Sequence, residues 1–239
     1  MTSREQAMRH IALRIEIDLQ IVARFAHVIE PMSTAKSSGK QHRGQDGCVT
    51  AKWLAFTLIA IAIGNTERAV AAITAMNDTL LDVVATEHET HSDVNPRTNR
   101  IELTLNQTSA IEQEPADWDL RGQNFLEAFI GLIEQLALAP NGSHHKFLGD
   151  DYRIKLSGSE TKPYITIKAN LVDEKGERFT RTFEYVPMAT LEDLAPGSAR
   201  RSRSKLPIGR VAVLSSRHVE MLAALLVMSR GSQLSALVH

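Results

Sequence analysis

A single cysteine, Cys48, stands among 239 residues. No intrachain disulfide can form, and the expected setting is a reducing cytoplasm. Charge of one sign is also lacking: 27 Lys and Arg face 28 Asp and Glu, for a formal net charge of -1. Such a balance supplies no overall field to steer a polyanion, so any attraction must come from local patches. Long apolar runs are scarce. The one candidate membrane span, "WLAFTLIAIAIG" at 53–64, falls short of the roughly 20 residues a bilayer needs. It predicts a fully buried helix, and no membrane partner is expected. Residues 1–14 alternate charged and apolar side chains and hold no apolar signal core.

Signatures of catalysis are missing as well. "GNTERA" and "GDDYR" lack the spacing and the lysine of a phosphate-binding loop, and no serine or cysteine sits in a nucleophile elbow. "EHETHSD" gathers His88, Glu89, His91 and Asp93, but its histidines are three apart instead of four, so it reads as an acidic turn at a helix end. His144 and His145, near Asp150 and Asp151, offer a base and an orienting carboxylate with no nucleophile to activate, and read as a surface loop before a strand. No enzyme, metal or cofactor is expected; a catalytic site would have to be assembled from scattered residues.

What the chain does have is segregated charge. Residues 1–52 carry eight Lys or Arg against five acids, 53–100 reverse the balance, and 199–217 hold six basic residues with no acid. Apolar residues at helical spacing run through 4–31, with Ile11, Ile15, Val22, Phe25 and Ile29 in step, until Pro31 and "STAKSSGKQHRGQDG" end the pattern. Thr50 is placed to cap the buried helix, and Asn65 or Thr66 to cap another through "ERAVAAITAMNDTLLDVVAT", with a break near Asn77 and Asp78.

After residue 90 the texture changes. "RIELTLNQ" alternates like a strand, and "LRGQNFLEAFIGLIEQLALA" puts Phe125, Phe129, Leu132 and Leu136 on one helical stripe. "DYRIKLSG" reads as a further strand. "PYITIKANLV" and "ERFTRTFEYV" form a hairpin across "DEKG", with Ile165, Ile167 and Leu171 facing Phe179, Phe183 and Tyr185. A short helix near "MATLEDLA" and a last one, "SRHVEMLAALLVMSR", complete the pattern. The fold class expected is α+β: a helical, winged-helix-like region over 1–90, then an antiparallel β-sheet with two or three packed helices over 91–239.

"ALRIEIDLQIVARF" admits two readings. In one, 4–30 is a single amphipathic helix. In the other, Ala12 is the small residue where two helices of a helix-turn-helix cross, Ile15 and Ile17 flank the turn, and Val22 and Phe25 are buried in the second helix. Asp18, Gln20, Ala23 and Arg24 then face outward, and Gln20 and Arg24 have the chemistry for adenine and guanine edges. Glu16 stands where such a turn favours glycine. Downstream, Lys36, Lys40 and Arg43 on a Gly/Ser frame suit phosphate contacts, as do Arg200, Arg201, Arg203 and Lys205 in "ARRSRSKLPIGR"; both stretches also read as solvated connections.

With His42, Arg43 and Gly44 in the connection and "TAKWLAFTLIAIAIG" in the helix, 12–64 resembles proteins carried by phages and prophages of alphaproteobacteria. These open with a helix-turn-helix, and the resemblance implies a DNA-binding regulatory role for a mobile element. The expected function is therefore transcription or replication control on double-stranded DNA by a homodimer, with the apolar helix at 219–228 one candidate for self-association. The rival is a structural or inhibitory protein that binds a host protein partner.

Overall fold

The computed structural model describes residues 3–34, 49–88, 107–108, 124–139, 148–172, 175–176, 178–188 and 211–236. Four helices come first: α1 (Arg4–Arg14), α2 (Leu19–Thr34), α3 (Ala51–Ile63) and α4 (Thr66–Met76). Then follow β1 (Thr79–His88), β2 (Gln107–Thr108), α5 (Phe125–Leu138), β3 (Asp151–Gly158), β4 (Pro163–Val172), β5 (Arg178–Pro187), β6 (Ala212–Ser215) and α6 (Ser216–Ala236). The fold class is the mixed α+β expected, with the strands in one antiparallel sheet ordered β2-β1-β5-β4-β3-β6.

The helix starts follow from side chains that satisfy otherwise orphaned backbone N–H groups. Ser3 and Gln6 form a reciprocal capping box on α1. Thr50 Oγ1 accepts from the Trp53 N–H at 3.1 Å, and the Asn65 and Asn124 side chains accept in the same way at α4 and α5. Gly64, at φ 73°, closes α3 in the left-handed conformation that a residue without Cβ adopts most readily.

The expected hairpin forms, and its two apolar faces meet: Ile165 lies opposite Tyr185, Ile167 opposite Phe183, and Leu171 opposite Phe179. On the next strand Tyr152, Ile154 and Leu156 are buried in alternation with exposed residues. Of the α5 stripe, Phe125, Phe129 and Leu132 are buried and Leu136 is half-buried. Phe125 stacks on Phe129 and meets the Tyr185 ring edge-on, each at 5.6 Å between centroids, joining helix to sheet. Apolar almost all round, α3 lies at the centre of a buried cluster that runs from α1 through the sheet to α6. Among the described residues no helix is long and apolar enough to cross a membrane.

Several expectations need correction. Residues 79–88 do not continue α4: the helix ends at Met76, and 79–88 form β1, paired with β5 from Thr79 opposite Pro187 to His88 opposite Phe179. Val83, Val84 and Thr86 are β-branched and favour a strand once such a partner exists. His88 therefore ends a strand and not a helix. α2 continues past Pro31 to Thr34, with the Ser33 and Thr34 hydroxyls donating to the Glu30 carbonyl. β6 was not anticipated. Of "RIELTLNQ" only Gln107 is described, in β2; Glu89, His91, Asp93, His144, His145, Cys48 and most of "MATLEDLA" lie outside the described residues.

Thr79, fully buried, joins three elements: its hydroxyl donates to the Met76 carbonyl at 2.8 Å and accepts from the Phe125 N–H at 3.2 Å. Burial, reinforced by the Glu220 carboxylate, pushes the Tyr152 hydroxyl above the usual tyrosine range, so it remains protonated.

Candidate nucleic-acid interface

The chain turns at Glu16. α1 stops at Arg14, α2 starts at Leu19, and Glu16 alone among the described non-glycine residues has a positive φ, 55°. The Ile15 N–H still donates to the Ile11 carbonyl at 3.0 Å, while the Ile17 N–H reaches back to Ala12 at the same distance. This five-residue reach around a left-handed residue is the Schellman way of ending a helix. Asp18 then opens α2. Its carbonyl accepts from the Ile21 and Val22 N–H groups, and its carboxylate accepts from the Gln20 N–H at 2.6 Å. One continuous helix over 4–30 is excluded.

A left-handed glutamate costs about 1–2 kcal/mol in sterics. Glu16→Gly should therefore stabilise the fold by about 0.5–1 kcal/mol net, because the glycine's extra unfolded-state freedom offsets part of the relief. The urea midpoint should rise, whereas Glu16→Val should lower it. A drop for the glycine variant would contradict the turn.

Around the turn the inner residues pack as a two-helix element requires. Ala12, Val22 and Phe25 are buried, and Ile15 and Ile17 are half-buried against the same cluster. The Arg4 guanidinium ion-pairs with Glu30 and lies 5.6 Å over the Trp53 ring, fastening α1 to both α2 and α3. The two helices are thus fixed at the turn and again at their far ends.

The outer face of α2 is open. Asp18, Gln20 and Arg24 are exposed and Ala23 is half-buried. Among the described residues the Gln20 and Arg24 side chains have no hydrogen-bond or ion-pair partner. His27, 87% exposed, extends the Gln20–Arg24 row by one turn and stands 4.0 Å from Glu30. It was missed in the sequence, although its offset of seven from Gln20 places it on the same face. Leu19 and Ile21 flank Gln20 on the exposed surface, and Leu13, 75% exposed, stands in the last turn of α1. Lys36, Lys40, Arg43, Arg200, Arg201, Arg203 and Lys205 lie outside the described residues, so the structure does not place them relative to this face.

The apolar stripe of the last helix is largely committed to the molecule's own core: Val219, Leu222, Leu225 and Leu226 are buried, and Val227 and Met228 are about half exposed.

Comparison with protein-family models, curated proteins and solved structures finds no match to this chain.

Proposed function

We propose that the chain is a sequence-specific double-stranded DNA-binding regulator that reads the major groove with α2. The observation that carries this reading is the turn: a left-handed Glu16 and a capping Asp18 break 4–30 into two helices and leave Gln20 and Arg24 side by side on the exposed face of the second. Gln20 matches the adenine edge and Arg24 the guanine edge, while Leu19 and Ile21 can meet thymine methyl groups. Lys36, Lys40, Arg43, Arg200, Arg201, Arg203 and Lys205 supply phosphate contacts in this reading, on the strength of the sequence. Pairing of two copies belongs to it because paired half-sites raise affinity and specificity together. Service to a mobile element rests on the resemblance of 12–64 alone.

A second reading draws on the exposed Leu13, Leu19 and Ile21 beside the turn. Three apolar side chains at one end of a helical pair suit a protein surface, and the partner is then another protein.

Salt separates the two. Binding to random duplex should weaken steeply from 50 to 200 mM salt, with a slope of log affinity on log salt of about -0.9 for each phosphate neutralised. No duplex binding at 50 mM salt would sink the DNA reading and leave the protein-binding one. Within the DNA reading, Lys40→Ala should weaken cognate and random duplex alike and reduce the slope by about 1.

A further inference from the structure

Between α1 and the first three turns of α6 lies an open groove of about 690 Å³, within the range of small-molecule sites. Its charge is one-sided. His10 and Arg14 line it from α1, Arg217 and His218 from α6, and Glu220 is the one acid among the described lining residues. Among the described residues neither Arg14 nor Arg217 has an acidic partner, and both are exposed to solvent.

The His218 ring is held in a defined state. Its Nδ1 accepts from the Ser215 backbone N–H at 3.0 Å and lies 2.8 Å from the Ser215 hydroxyl, taking the place a glutamate usually has in a capping box. With Nδ1 engaged as acceptor, the neutral ring carries its proton on Nε2, which is left as a donor. The remainder of the lining is apolar: Met221, Ala224, Leu225 and Met228 extend along α6 away from the basic end.

We infer that this groove binds a small amphipathic anion, its carboxylate or phosphate head between Arg14 and Arg217 and its apolar body along Met221, Ala224 and Leu225. An anion there is favoured by the guanidinium charges of Arg14 and Arg217, opposed by the single lining carboxylate of Glu220, and an uncharged molecule gains nothing from them. The floor gives a bare inorganic ion nothing beyond the head contacts. The inference is independent of DNA binding, since Gln20 and Arg24 are not in the groove's lining.

Octanoate, octanol and inorganic phosphate are the probes, titrated calorimetrically into the full chain. Octanoate should bind at a single site, and octanol and phosphate each about tenfold or more weaker, the loss expected for one missing charge-assisted contact or apolar body. Arg14→Gln combined with Arg217→Gln should lower octanoate affinity by at least the same factor with the melting temperature held, since both positions are exposed. Ala224→Glu, also at an exposed position, should weaken octanoate by setting a carboxylate against it. The inference is overturned by the absence of octanoate binding to the wild-type chain, by equal affinity for octanol or phosphate, or by binding that the folded double variant retains.

Discussion

Replacing both Gln20 and Arg24 by alanine should remove about 2–6 kcal/mol from binding to a duplex selected from a random library, taking each bidentate base contact at about 1–3 kcal/mol. Binding to unselected duplex should fall only by what one lost guanidinium contributes. Fold stability should stay within about 0.5 kcal/mol, because both residues are exposed. The comparison is a pair of binding isotherms, on the selected site and on scrambled duplex, at one fixed salt concentration. Equal losses on the two would mean that α2 touches backbone and reads no base. Enrichment of a palindrome in the same selection would support the paired form, its half-sites being one helical turn or a multiple of it apart.

The largest effect on stability is expected at Trp53. Only 1% of this side chain is exposed, at the start of the central α3 and beneath the Arg4 guanidinium. Trp53→Ala should cost about 3–5 kcal/mol, combining lost apolar transfer with the cavity left behind. Arg4 would also lose its ring while keeping Glu30, so the link from α1 to α3 should weaken more than the link from α1 to α2. Urea denaturation of the alanine and phenylalanine variants checks this, with phenylalanine retaining most of the stability because a ring still fills the site. An alanine variant within 1 kcal/mol of wild type would place Trp53 outside the core.

How legible all this was in the sequence depended on whether the deciding interaction was local. The two strands of the β4–β5 hairpin and their faces could be read, because period-two alternation in adjacent stretches sets Ile165, Ile167 and Leu171 against Phe179, Phe183 and Tyr185; which residue lies opposite which was fixed only by the fold. The cap at Thr50 was equally plain and the one at Asn65 was one of two candidates with Thr66, each acting over three residues. β1 was not. Its apolar content is compatible with a helix, and what makes it a strand is a partner far along the chain. β6 pairs with β3 in the same way and was hidden for the same reason.

Glu16 is the intermediate case. Its residue type argues against a left-handed turn, and the structure places one there, because Ile15 and Ile17 pack inward on either side and Asp18 immediately caps the next helix. The basic groove escaped notice because Arg14 and Arg217 are distant in sequence and come to line one groove only in the folded chain.

The pairing of β1 with β5 also sets a timetable for synthesis. On the ribosome, β1 emerges behind four helices that can already condense around α3, but its neighbour at 178–187 follows about a hundred residues later. At a translation rate of about 5–20 residues per second that is a wait of about 5–20 s with the edge that will meet β5 unpaired. Such an interval is long against hairpin or helix formation, which take about microseconds. Final closure of the sheet is therefore a late, long-range event, and the nascent chain is most open to mispairing with other chains while β1 waits.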